Sequence, residues 1–367
     1  MTRRRTFPAA AALASFAATA PLAAFAQDDG APVVNFYGQL NFGIFSTDDG
    51  VRNETYFTDN DNSNSRVGVT YDTALKNGGK FKLQFETALG FKGSGSVTLD
   101  DTDLDLDWRR TDLRKFEAVY TTPSAGTFSF GQGSTATDGI AEADFSGTTV
   151  VMYSGLPDLA GSVEFNTTAG VGTGVTVGNA FSNLDGARRF RLRYDTPDFN
   201  GFSFAASAGE EVLVKNVDTR FYDVGLRYNR DYEAYKVSAN IGYGWTDDDR
   251  EVVSGSIAFI HTATGLNAAL SGGERKETDA DYLYFKLGIL RDDLLTIGQT
   301  AFSIDWYDGN DFDVTGSDST SFGIGVVQRI HRYKTELYAG YREYSYETPS
   351  VTTSDIQVAV LGARWKF

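Results

Sequence analysis

The chain has 367 residues, no cysteine, a formal net charge of −16 and a mean hydropathy below zero. Those values exclude a disulfide-stapled scaffold and, by charge, a nucleic-acid binder. Beyond the leader no run approaches the roughly 18 apolar residues that a membrane-crossing helix needs.

The first 26 residues read as a secretory signal peptide. Arg3, Arg4 and Arg5 make a positive cluster, an alanine-rich apolar run follows, and Ala24-Phe25-Ala26 supplies a small-residue cleavage site. Residues 27–367 are then a single exported domain. That domain is rich in Phe (27), Tyr (19) and Gly (39) and poor in Pro (7), a composition suited to a β-barrel with a wet interior.

Along the chain the dominant period is two. In "NFYGQLNFGIF", Phe36, Leu40, Phe42 and Ile44 oppose Asn35, Gln39 and Asn41. In "KFKLQFETAL", Phe81, Leu83, Phe85 and Leu89 oppose Lys80, Lys82, Gln84 and Glu86. Strands sort residues this way and helices do not. The same reading gives strands at 33–45, 64–73, 80–91, 107–121, 126–134, 188–195, 202–209 and 219–229. It continues with 235–246, 250–260, 266–274, 281–290, 296–307, 319–330, 333–346 and 356–367. Short connections such as "TTPSAG" and "DTPDFNG" alternate with longer acidic ones such as "STDDGVRNETYFTDNDNS" and "DGNDFDVTGSDS". An even strand count with short turns at one end and long loops at the other describes an all-β, antiparallel transmembrane barrel of 16 strands. The connection from about Ser134 to Ala187 is far longer than the rest. "GSVEFNTTAG" and "GVTVGNAF" inside it form either a small hairpin or two further wall strands, which would make 18.

The charged residues divide by face. An arginine facing lipid at the bilayer midplane costs about 2–4 kcal/mol, so Arg189, Arg191 and Arg193, at alternate positions, must point into water. Lys82 lies on an inward face by the same alternation. At Arg114 the parity conflicts: if it faces inward, Lys115 and Glu117 face outward, which suits only a subunit interface. His261 and His331 fall at separate short turns, and the Asp runs lack the glycine and terminal glutamate of a calcium loop, so no metal or cofactor site is expected. The same two histidines, both at the short-turn end, leave a catalytic base missing from the outer rim, where a barrel protease or lipase would need one. The Asp-rich outer loops could at most bridge lipid phosphates through divalent cations. Tyr37 and Trp306 are the candidates for aromatic residues lining the lumen.

Together "FYGQLNFG", "SRVGVTYD", "LRKFEAVYTTPSAGTFSFGQG", "RRFRLRYDTPDFNGFSF" and the aromatic C-terminal strand ending on Phe367 resemble the general diffusion porins of Gram-negative outer membranes. That family is sixteen-stranded and typically trimeric. The resemblance implies passive diffusion of small hydrophilic solutes and ions, with a substrate-selective sugar or anion channel as the alternative. It implies an inward-folded third outer loop carrying Asp138, Glu142 and Asp144 against a wall of Arg66, Arg114 and Arg189, with Lys82 and Arg191 as further wall cations. It implies that Trp365 and Phe367 form the signal read by the outer-membrane insertion machinery. The implied partners are membrane lipid, lipopolysaccharide and two further copies of the chain, meeting through a small-residue, polar-tinged face of the early strands.

Overall fold

The computed structural model describes residues 31–367, so the leader read at 1–26 lies outside the described residues. Twenty strands form, in the order β1 (Val33–Asp48), β2 (Asn53–Asp59), β3 (Arg66–Ala74), β4 (Lys80–Ala88), β5 (Leu113–Thr121), β6 (Thr127–Ser134), β7 (Glu164–Asn166), β8 (Gly172–Thr176), β9 (Arg188–Asp195) and β10 (Phe202–Glu210). They continue with β11 (Arg220–Asp231), β12 (Tyr235–Thr246), β13 (Glu251–His261), β14 (Leu266–Arg275), β15 (Ala280–Leu295), β16 (Gly298–Asn310), β17 (Asp318–Ile330), β18 (Thr335–Thr348), β19 (Val351–Thr352) and β20 (Ile356–Lys366).

Sixteen of these make a closed antiparallel wall: β1, β3–β6, β9–β18 and β20. Closure comes from β20 pairing with β1, from Gln39 opposite Lys366 to Asp48 opposite Gln357. Alternation is cleanest in β15–β17, where Leu283, Phe285, Leu287, Phe302, Ile304, Trp306, Phe322 and Ile324 are exposed on the outside and the residues between them are buried. An outward apolar band with no free sheet edge is what lipid requires, because every backbone polar group must be satisfied within the protein.

Three features depart from the sequence reading. The long first outer connection is mostly strand: β2 pairs with the upper half of β1, leaving a turn at residues 49–52. β2 and β3 are two halves of one wall strand, interrupted at Asn60–Ser65, where Asp59 accepts hydrogen bonds from the Ser65 amide (2.9 Å) and hydroxyl (2.7 Å). The interrupting residues fold into the lumen.

Second, β7 and β8 pair with each other and stay out of the wall, which settles the strand count at sixteen. They belong to the third outer loop, residues 135–187, which turns inward. Its apolar residues, including Val151, Leu156, Val163, Phe165 and Phe181, pack against the inner faces of Tyr282, Tyr307, Tyr338, Tyr344 and Val358. Half of the lumen is therefore a dry core and only the other half is wet. Of the two aromatic candidates, Tyr37 points inward onto Glu86, and Trp306 faces outward.

Third, the outer face of the early strands is neither small nor polar. It carries Leu83, Phe85, Phe116, Phe128, Phe130 and Leu192, all exposed. These strands are also short: β4 to β6, β9 and β10 have 8 or 9 residues, against 13 to 16 in β15 to β18.

Candidate functional site: the charged aperture of the lumen

The wet half of the lumen narrows where the third loop faces the wall of β3, β5 and β9. The space there is about 750 Å³ and is strongly polar. On the wall of β3, β5 and β9 stand Arg66, Arg114 and Arg188; on the loop side stand Asp138, Glu142, Asp158 and Asp185, with Asp61 from the interruption between β2 and β3, and Arg275 of β14 also borders the space.

A single carboxylate holds two of the wall cations, Arg114 and Arg66, in place. Glu86, on β4, accepts a hydrogen bond from Arg114 Nε at 2.7 Å and another from the Tyr37 hydroxyl at 2.8 Å, with Arg66 Nε 4.0 Å away. Two arginines share one anion, so this wall keeps net positive charge. Arg188 Nη1 lies 3.9 Å from Asp138 Oδ2, where wall and loop charges meet at the aperture.

Arg114 reaches this position through a β-bulge. Glu86 pairs with Lys115 and Thr87 with Leu113, so Arg114 is the extra, unpaired residue. A bulge lets two successive side chains point to one face. Arg114, Lys115 and Glu117 can thus all face inward while Phe116 faces out, and the parity conflict disappears without a subunit interface. Glu117 is buried against Arg191 Nη2 at 2.5 Å.

The third loop is anchored to the far wall by polar contacts. Lys286 Nζ, fully buried on β15, donates to Asp144 Oδ2 at 2.8 Å and to the Met152 carbonyl at 2.7 Å. The Tyr344 hydroxyl donates to the Leu156 carbonyl at 2.8 Å, and from the interruption between β2 and β3 Asn60 Nδ2 donates to the Val150 carbonyl at 2.8 Å. The loop acids are crowded. Desolvation, followed by the like charges of Asp185, Asp138 and Asp158, pushes Glu142 up to about 8 although its carboxylate faces the opening. Burial raises Asp158 and Asp185 to about 6, against hydrogen bonds from Tyr153 to Asp158 and from the Ala141 and Gly139 amides to Asp185.

The structure thus brings Asp138, Glu142, Arg66 and Arg114 together and leaves the other expected residues elsewhere. Asp144 lies behind the loop, where one carboxylate oxygen meets Lys286 and the other accepts from the Ser146 amide. Arg191 is consumed by Glu117. Lys82 sits near the short turns, 3.7 Å from Asp72. Arg189 pairs with Glu211 at 3.4 Å and borders neighbouring spaces. Its neighbour Arg188 takes the aperture position: as the first residue of β9 it still follows the inward course of Gly186-Ala187 and escapes the strand's alternation. Sequence reasoning also missed Asp61, Asp158 and Asp185, which only the inward fold of two loops brings to the opening. Among the described residues no group of potential ligands is arranged to hold a metal ion.

Trp365 and Phe367 both face outward at the short-turn end, their rings 5.0 Å apart, while Arg364 and Lys366 turn inward onto Glu336.

A family model described as Gram-negative porin matches residues 9–349. No curated protein shows significant sequence similarity to the chain. Among solved structures, an anion-selective porin from Comamonas acidovorans is 14% identical with a TM-score of 0.57, covering 92% of this chain and 100% of its own. The outer membrane channel DcaP of Acinetobacter baumannii is 12% identical with a TM-score of 0.57, over 94% and 99%. OmpT of Vibrio cholerae, in a trimer form, is 15% identical with a TM-score of 0.56, over 92% and 100%. At such identities these structures speak for the shared barrel alone. The family match over most of the sequence, on a closed sixteen-stranded barrel with a polar opening in its lumen, leads to one conclusion: the chain belongs to the Gram-negative porin family and forms an outer-membrane channel for diffusion.

Proposed function

We propose that Arg66, Arg114 and Arg188, facing Asp138, Glu142 and Asp158, form the selectivity-setting constriction for small hydrophilic solutes and ions. The observation that carries this reading is the segregation of charge to opposite sides of one polar opening. Two unit charges about 4 Å apart interact by roughly 1 kcal/mol in bulk water and about 4 kcal/mol at an effective dielectric of 20. Even the lower value changes local ion concentration several-fold, and opposed charges set up a transverse field that orients dipolar solutes. The reading is of a channel and not of an enzyme. His261 and His331 lie at the short turns, with His261 Nδ1 bonded to the Thr264 hydroxyl at 2.8 Å, far from the lumen acids.

Reversal potentials across planar bilayers in a KCl gradient, at low salt to limit screening, test the assignment. Arg66→Gln with Arg188→Gln, which spares the Arg114–Glu86 pair, should shift selectivity toward potassium. Asp138→Asn with Glu142→Gln should shift it toward chloride. If both double variants match the wild type, these residues do not govern passage.

The chain further reads as a homotrimer. A strand of 8 residues spans about 26 Å, or about 20 Å along the membrane normal when tilted by about 40°, less than the roughly 25 Å apolar band of such barrels. The short wall of β4–β6, β9 and β10 is therefore better matched by a protein neighbour than by lipid, and its exposed phenylalanines offer the contact. OmpT of Vibrio cholerae has been solved in a trimer form. Light scattering in mild detergent that returns a monomer would sink this reading.

A further inference from the structure

The lumen holds a second chamber, separated from the aperture by the returning segment Ser182–Ala187 of the third loop. One side of that segment faces the aperture, and the other faces a space of about 650 Å³ enclosed by the inner faces of β11–β14. The two spaces differ in character. The aperture is ringed by charge, whereas this chamber pairs arginine with apolar surface.

The Phe221 ring forms one wall, with the Arg189 guanidinium 4.4 Å from its centroid. Leu184 and Val252 continue the apolar surface. Gly244 keeps the space open: a Cβ there would meet nothing nearer than 3.8 Å. Two cations face in with hydrogen-bonding capacity to spare. Arg189 is held by Glu211 on one side, but its buried Nε has no partner. Arg275 lines both the chamber and the aperture, and its guanidinium lies 5.9 Å from the Phe312 ring with no carboxylate paired to it among the described residues. Each acid lining the chamber already accepts hydrogen bonds: Asp223 from the Thr137 amide (3.0 Å) and the Ser207 hydroxyl (2.8 Å), Asp185 from the Gly139 amide (2.7 Å) and Ala141 amide (2.8 Å), and Glu277 from the Glu251 amide.

The buried Arg189 Nε lacks an acceptor and the half-buried Arg275 guanidinium has no paired carboxylate, which together favour an anion, and a planar fork favours a carboxylate. The apolar wall beside it favours a solute with hydrophobic area to remove from water. We propose that this chamber binds small organic carboxylates with a flat apolar body, held by Arg275 and Phe221 before they cross to the aperture. The proposal rests on the channel reading and deepens it. Arg275, shared by the two spaces, is the point of transfer. Chloride and acetate lack the apolar body, and a neutral aromatic lacks the anion.

The test is single-channel recording of the full-length protein in KCl, with benzoate, acetate or benzyl alcohol added. Benzoate should produce transient current blockades, and acetate and benzyl alcohol should not. Losing the charge-assisted bond in Arg275→Gln should shorten the benzoate blockades by about tenfold. Arg275→Lys should recover part of the lifetime, and Phe221→Ala should shorten it independently. Arg332→Gln, on the short turn after β17, should leave it unchanged. Open-channel KCl conductance persists in every variant if the pore is intact, so loss of blockade is read separately from loss of channel. A wild-type pore that conducts KCl yet responds equally to benzoate and acetate overturns the proposal. So do benzoate blockades that survive both Arg275→Gln and Phe221→Ala. A wild-type protein that does not conduct at all defeats the channel reading itself.

Discussion

Glu142 is the residue whose environment has the clearest consequence for transport. Its carboxyl is pushed up to about 8, and Asp158 and Asp185 up to about 6, whereas unperturbed carboxylates titrate near pH 4. A raised carboxyl is negative only above its own raised value. Lowering the pH from about 9 to about 5 therefore removes negative charge from the loop side while Arg66, Arg114 and Arg188 stay charged. The potassium-to-chloride permeability ratio should fall across that window, and in Glu142→Gln the upper part of the fall, around pH 8, should disappear. Reversal potentials taken at successive pH values measure it; a ratio that is flat above pH 5 would show that these acids titrate normally. Lys286 makes a second residue-scale case. It is buried with Asp144 and the Met152 carbonyl as its partners, and removing one member of such a pair costs about 3–5 kcal/mol because the other charge is stranded. Lys286→Met should thus lower the temperature of heat-induced unfolding and add current noise as the third loop loosens. Lys286→Met with Asp144→Asn should recover part of the stability, since the amide side chain carries no charge and its oxygen can still accept from the Ser146 amide as the carboxylate does.

At the scale of elements, the wall was legible in the sequence and the lumen was not. Period-two alternation fixes which residues face lipid, because lipid tolerates no polar side chain there; Leu283, Phe285 and Ile324 could be placed by that rule alone, whereas Trp306, read as a lumen candidate, faces lipid instead. Two devices defeat the rule. The bulge at Arg114 adds a residue to one strand, so the alternation of "LRKFEAVY" slips by one, and nothing in composition marks the slip. The inward loops break it altogether. Asp61, Asp158 and Asp185 reach the aperture through long-range packing of segments that look like hydrated loop in the sequence, and Asp144 is drawn away from it by Lys286, 142 positions later. The dry half of the lumen was hidden for a related reason. Tyr282, Tyr284, Tyr307, Tyr338 and Tyr344 alternate with lipid-facing residues as polar lumen residues would, yet they cap an apolar loop. The placement of the β7–β8 hairpin has a direct check. Thr167, between β7 and β8, bridges antiparallel to Thr353, next to β19. Antiparallel partners stand about 4.5–5.5 Å apart at Cα, within disulfide range. Since the chain has no cysteine, Thr167→Cys with Thr353→Cys should form one disulfide on mild oxidation and leave KCl conductance near the wild-type value. Two free thiols in the folded, oxidised protein would place the hairpin elsewhere.

At the scale of the whole molecule, the barrel depends on a seam between its two ends. Phe367 is the last residue, yet its amide donates to the Gly38 carbonyl at 3.0 Å and its carbonyl accepts from the Gly38 amide at 3.1 Å. Its ring lies over Gly38 so closely that a Cβ there would be 2.6 Å from the ring edge. The terminal residue therefore completes the β1–β20 ladder and covers it from the lipid side. Backbone groups left open at membrane depth cost several kcal/mol each, so a truncated seam should close poorly even where nothing recognises the terminus. Two variants separate closure from recognition. Deleting Phe367 removes both the ladder bonds and the ring; Phe367→Ala keeps the bonds and removes the ring. We expect the deletion to reduce folded protein sharply both in cells and in refolding into detergent, without affecting export. On the proposal that the insertion machinery reads the aromatic pair of Trp365 and Phe367, we expect Phe367→Ala to refold in detergent at close to the wild-type yield but to accumulate poorly in the outer membrane. Heat-modifiable mobility on gels counts the folded fraction in each setting. Wild-type levels of Phe367→Ala in outer-membrane fractions would reduce Phe367 to a purely structural clasp, and wild-type levels of the deletion would show that the seam closes without it.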